Sequence, residues 1–110
     1  MASQRIEKIN QLIRAYLDEI IQKNLSLKEG VFVTIAKIDT SPDLRYTRVF
    51  VSIFPEKETG YAIRSLEKEI YNIQGQLNRK LKMKILPRVE FRVDHTEAEA
   101  DVIEKLLKEI

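Results

Sequence analysis

The chain contains no cysteine and a single histidine, His95. The first absence excludes disulfides, thiolate metal sites, iron–sulfur clusters and a cysteine nucleophile. The second leaves multi-histidine metal sites and most catalytic triads without their parts. Glycine is scarce as well: three residues, far apart, that make neither a phosphate loop nor a dinucleotide fingerprint. No run approaches the roughly 20 apolar residues that span a bilayer. Gln4, Arg5, Glu7 and Lys8 interrupt the first apolar pattern, which does not suit a secretory signal. What is present is a 110-residue chain with 33% charged and 44% apolar residues, an ordinary soluble balance. The length predicts one domain over 1–110. A domain of this size buries roughly two thirds of its unfolded surface. A reducing cytoplasm is the expected compartment.

The net charge of +2 hides its own distribution. Residues 79–92 carry Arg79, Lys80, Lys82, Lys84, Arg88 and Arg92 against Glu90 alone, a local charge of +5. Residues 93–110 carry six acids against Lys105 and Lys108, a local charge of −4. A short, strongly basic stretch points to an anionic partner.

Ile6, Ile9, Leu12, Ile13, Tyr16, Leu17, Ile20 and Ile21 fall on one helical stripe. The spacing predicts an amphipathic helix that packs on a sheet. Both charge signs on its polar face argue against membrane-surface binding. The β-branched run Val31–Ile38 predicts a strand, and Thr40-Ser41-Pro42-Asp43 a turn. Arg48–Phe54 predicts a second strand, with Val49, Val51 and Ile53 on one face, so that the two form an antiparallel hairpin. A further helical stripe, Ile63, Leu66, Ile70, Ile73, Leu77 and Leu81, runs from about Tyr61 to Leu81 with Gly75 inside it. A helix-interior glycine costs about 1 kcal/mol relative to alanine. Gly75 is either tolerated there or marks a break that frees backbone N–H groups.

From Met83 to Val93 the odd positions are apolar and the even ones mostly basic, which predicts a third strand with one basic face. Pro87, lacking an N–H, suits an edge, a strand start or a bulge. Thr96-Glu97-Ala98-Glu99 matches a capping box, and Val102, Ile103, Leu106, Leu107 and Ile110 share a face of the helix it opens. The order α-β-β-α-α-β-α predicts an α+β fold: a three-stranded sheet with helices on one face and the other face open.

Catalysis finds little support. His95 sits just before the helix cap, with no nucleophile context around it. No cofactor, metal or small-molecule substrate is expected. Nucleic acid fits better. A helix broken at Gly75 offers N–H groups to a phosphate. Asn72, Gln74, Gln76 and Asn78 supply amides around it, and the basic run extends the positive field. The bland alternative for that run is a solvated strand face that discourages edge pairing.

Taken together, Arg5-Ile6 with Ile9, the run Val33–Leu44 through Thr40-Ser41-Pro42-Asp43, Arg48–Ser52, and Pro87–Asp94 followed by Thr96 resemble bacterial ribosome-binding factor A across nearly the whole chain. The resemblance implies a type II KH-like fold without enzymatic activity. It further implies a monomer that binds small-subunit ribosomal RNA late in subunit maturation, with roles in rRNA processing and cold adaptation. The family's small-any-glycine kink corresponds here to Ile73-Gln74-Gly75, with isoleucine in the small position. The expected RNA-binding residues are Gln74, Gly75, Gln76, Asn78, Arg79, Lys80, Lys82, Lys84 and Arg88, with Arg45 and Arg48 on the hairpin as a second tier. The alternative is a protein–protein interaction module of the same two-layer architecture with no RNA role.

Overall fold

A computed structural model describes residues 4–95 of the chain. The first stripe folds as helix α1, Gln4–Asn24, which buries Ile13, Leu17, Ile20 and Ile21. Strands β1 (Phe32–Thr40) and β2 (Tyr46–Phe54) form the expected antiparallel hairpin. A 3-10 turn, Glu56–Glu58, leads into α2 (Thr59–Lys68) and α3 (Ile70–Lys80), and β3 (Arg88–Val93) follows. The order α-β-β-α-α-β is the expected one. The capping sequence Thr96–Glu99 and the helix expected after it lie outside the described residues.

The sheet runs β1-β2-β3, with β3 parallel to β2. A parallel neighbour requires a long crossover, and α2 and α3 supply it. All three helices pack on one face. Their side chains meet Ile35, Val49, Val51 and Val89 of the sheet in one apolar cluster with Leu66, Ile73, Leu77 and Leu81. The inward row of β1 changes parity partway along. Val33 and Ile35 pair with Ile53 and Val51, then Ile38 and Thr40 pair with Val49 and Thr47. Ala36 is the extra residue, a β-bulge that keeps apolar residues inward on both sides of it. Arg14 of α1 donates to the Ile35 carbonyl at 2.7 Å beside the bulge.

Two expectations require correction. The helical break falls at Glu69, not at Gly75. Glu69 adopts φ −95° and ψ 3°, the bridge region, and shares its N–H between the Ser65 and Leu66 carbonyls at 3.2 Å each. Helix α3 runs uninterrupted through Gly75. Ile73 and Leu77, on either side of Gly75, are both fully buried, so a break between them would turn one out of the core. The third strand is also shorter than its alternation suggests, starting at Arg88 rather than Met83. Its ladder partner sets that limit. Tyr46, the first residue of β2, pairs with Arg88, so residues before Arg88 lie beyond the start of β2 and have no strand to join. Pro87 sits just ahead of the strand, one of the positions its missing N–H favours.

Candidate nucleic-acid interface

The hairpin turn is built by local hydrogen bonds. The Ser41 N–H donates to the Tyr46 carbonyl at 2.9 Å, and the Tyr46 N–H donates to Ser41 Oγ at 3.1 Å. Ser41 Oγ donates to Asp43 Oδ1 at 2.6 Å, and that oxygen also accepts from the Arg45 N–H at 3.1 Å. The Ser41 hydroxyl first, and then the Arg45 N–H, hold the Asp43 carboxyl below its ordinary pKa. Leu44 closes the turn at φ 62°, a left-handed conformation that L-residues other than glycine adopt at an energetic cost. Its side chain is nonetheless buried, which opposes that cost.

This turn sets Arg45 beside the start of β3. The Arg88 N–H donates to the Arg45 carbonyl at 2.8 Å. The side chains of Arg45, Lys84 and Arg88 then line one open concavity of about 430 Å³, together with Tyr46, Ile85 and Leu86. Three cations from two separate stretches of sequence thus line one hollow. Guanidinium groups there can take a phosphate in bidentate fashion, and the ammonium of Lys84 adds a point charge.

Arg88 and Leu86 also border a second hollow of about 400 Å³ between α3 and β3, lined further by Ile70, Tyr71, Gln74, Asn78 and Val89. Tyr71 is 90% exposed. Gln74 forms the seam of this groove. Its Nε2 donates to the Pro87 carbonyl at 3.0 Å and to Asn78 Oδ1 at 2.9 Å, while its Oε1 accepts from the Val89 N–H at 2.8 Å. Gln74 and Asn78 therefore shape the groove wall through bonds within the chain.

The remaining candidates spread out. Gln76 faces α1, where it exchanges bonds with Asn24 at 2.9 and 3.2 Å and donates to Asn72 Oδ1 at 3.0 Å. Lys80 turns the same way, with its Nζ 5.5 Å from the Tyr16 ring centroid and 3.8 Å from Glu19. The Glu19 carboxyl is held below its ordinary pKa by the Lys23 hydrogen bond first, then by the charges of Lys23 and Lys80. Arg79 and Lys82 are exposed. Apart from its chain neighbours and the adjacent backbone of its own helix, Gly75 has no atom within 4 Å of where a Cβ would stand. Arg48 lies on the open sheet face, between Asp39 of β1 and Glu90 of β3 in the register. Sequence reasoning overlooked Tyr71, Tyr46 and Leu86. Tyr71 carried a signal, being an aromatic off the apolar stripe of Ile70, Ile73 and Leu77.

Among the described residues no group of three or more His, Asp or Glu side chains gathers to hold a metal ion. His95 is exposed. No helix among the described residues is long and apolar enough to cross a membrane.

The sequence model described as ribosome-binding factor A matches residues 5–107. Ribosome-binding factor A of Natranaerobius thermophilus is 33% identical over the whole of this chain and 85% of its own length. The crystal structure of ribosome-binding factor A from Thermus thermophilus superposes with a TM-score of 0.70 at 25% identity, over 80% of this chain and 94% of that one. Coordinates of the Thermus thermophilus factor fitted into an electron cryo-microscopy map of its complex with 30S give a TM-score of 0.64 at 26% identity, over 78% of this chain and 91% of that one.

Proposed function

The chain belongs to the ribosome-binding factor A family, and from that premise we propose that it docks on ribosomal RNA of the small subunit as an assembly factor. One observation carries the reading: the joint lining of a single hollow by Arg45, Lys84 and Arg88. Asp43 stands 3.9 Å from the Arg45 Nε at the rim, so the hollow stays net cationic, and an RNA phosphate seated there gains from that charge while releasing its own counterions. The adjoining groove offers Tyr71 and Leu86 as apolar surface for a ribose or a base. Arg79 and Lys82 extend the field from the end of α3. Gln74 and Asn78 line that groove while bonded within the chain, Gln76 braces α3 against α1, and Gly75 leaves room beside it. That the related Thermus factor was fitted into a complex with 30S supports the small subunit as the destination. The chain acts by binding rather than by catalysis, as a monomeric single domain in the cytoplasm. Its cellular role is late small-subunit maturation, including rRNA processing and growth in the cold, which the family resemblance implies.

Co-sedimentation of the purified chain with purified small subunits in moderate salt tests this. Arg45→Ala, Lys84→Ala and Arg88→Ala combined should abolish co-sedimentation while leaving the thermal transition in place. With three phosphates neutralised, log affinity for RNA should fall with log salt at a slope of about −2 to −3. Undiminished binding by the triple variant, or a slope near zero, rejects the reading in favour of a protein–protein module.

A further inference from the structure

The sheet face turned away from the helices carries a pattern that the basic hollow does not use. Outward positions on β2 are Tyr46, Arg48, Phe50, Ser52 and Phe54, so an aromatic ring recurs at every fourth residue. At about 3.3 Å per residue the rings stand about 13 Å apart. The register extends the rows across the sheet. Phe32 lies opposite Phe54, while Phe50 lies between Lys37 and Arg92, and Tyr46 beside Arg88. Phe32 and Phe54 are 63% and 68% exposed, and Tyr46 is 48% exposed. The Lys37 Nζ stands 5.0 Å from the centroid of the Phe50 ring.

Two kinds of partner use exposed aromatics: an apolar protein surface and unpaired bases. The composition of this face favours bases. Its rings do not merge into one patch, because the Thr34–Ser52 row separates Phe32 and Phe54 from Phe50. Arg48, set between Asp39 and Glu90, separates Phe50 from Tyr46. Glu90 also pairs with Arg92 at 3.5 Å, and beyond the two acids the face still has Lys37 and Arg88. A protein docking here would bury those cations away from water, and interface cores are depleted of charge. A single strand instead stacks its bases on the rings while its phosphates meet the cations, and stacking tolerates any base because each has a π-face. Arg88 also borders the hollow that holds Arg45 and Lys84, so one strand can pass from one surface to the other.

We propose that the open sheet face binds a single-stranded stretch of RNA, with bases stacked on the Phe32–Phe54 pair and on Tyr46. This rests on the proposed docking on ribosomal RNA and adds which form of RNA the second surface takes. Fluorescence anisotropy with the full chain tests it, using a labelled seven-nucleotide oligouridine and, separately, an RNA hairpin with a fully paired stem. Phe32→Ala with Phe54→Ala should weaken oligouridine binding about 10-fold or more, from the stacking energy two such rings supply. Hairpin affinity and the urea midpoint should stay unchanged, since both side chains are exposed. Phe32→Trp should retain binding, and its fluorescence should be quenched by the oligonucleotide. The inference is overturned if the wild-type chain does not bind oligouridine, or if the double alanine variant binds it as tightly as wild type. Wild-type chain that ignores oligouridine yet sediments with small subunits rejects this inference and leaves the docking reading intact. If it does neither, both fall. Should the alanine variant lose small subunits while wild type ignores the oligonucleotide, the face docks something other than a single strand.

Discussion

Replacing Gly75 by alanine should make the protein more stable, although a glycine inside an apolar stripe reads as a deliberate break. The structure determines the sign. Helix α3 continues through Gly75, and a Cβ built there meets no atom within 4 Å. The new methyl group therefore neither clashes nor packs, and the change reduces to the helix propensity difference, about 0.8–1 kcal/mol in favour of alanine. For a chain of this length that raises the midpoint of thermal unfolding by about 4 °C. In urea the midpoint should rise by about 0.5 M. Circular dichroism at 222 nm reads both. Gly30 provides the control, because a Cβ there also meets nothing within 4 Å, yet its φ is +86°. Gly30→Ala should therefore destabilise, by about 1–2 kcal/mol. A Gly75→Ala variant that melts below wild type would refute the continuous helix and restore the break. A variant that is more stable but binds RNA more weakly would mean that a phosphate approaches the backbone at Gly75.

Other outcomes follow from single contacts. Gln74→Leu leaves the Val89 N–H and the Pro87 carbonyl without their amide partner, and should lose about 1–3 kcal/mol in urea denaturation. Arg14→Leu removes the donor to the carbonyl beside the bulge and should lose about 1–2 kcal/mol by the same measurement. Asp43 should titrate below the ordinary aspartate value of 3.8, and Ser41→Ala should move it upward, as carboxyl chemical shifts would show. Because the folded value is the lower one, the turn's contribution is complete above the unfolded value. It fades as pH falls through the folded value. An Asp43 that titrates normally in the intact chain contradicts this account of the turn.

Most of the architecture was legible locally. The stripe from Ile6 to Ile21 and the β-branched runs of the hairpin carry their own periodicity, and burial follows most of it, although Leu12 of the stripe stays 42% exposed. Legibility ended where a partner decides the outcome. Alternation from Met83 onward is as regular as from Arg88 onward, but a ladder needs a neighbouring strand and β2 begins only at Tyr46. Glu69 offers no compositional hint of a helix break, whereas Gly75 offers one and does not act on it. At the candidate site, the basic run was visible as charge, but its division was not. Lys84 and Arg88 meet Arg45 only because β3 lies parallel to β2. Lys80, a few residues earlier, follows the turn of α3 toward Tyr16. The amides of Gln74 and Gln76 looked available for a ligand because sequence alone does not reveal that Val89 and Asn24 reach them.

The Gln74 seam has a further consequence for how the molecule keeps to itself. Among the described residues β3 is an outer strand, and an outer strand is a template on which another chain can add a strand of its own. The first donor and acceptor on the outward side of β3 are the Val89 N–H and the Pro87 carbonyl, the two groups that the Gln74 amide occupies. A side chain thus mimics one residue of a fourth strand and stops the sheet from growing at that point. A chain without this amide would keep the same core and present an open edge, so its loss should appear first as concentration-dependent self-association.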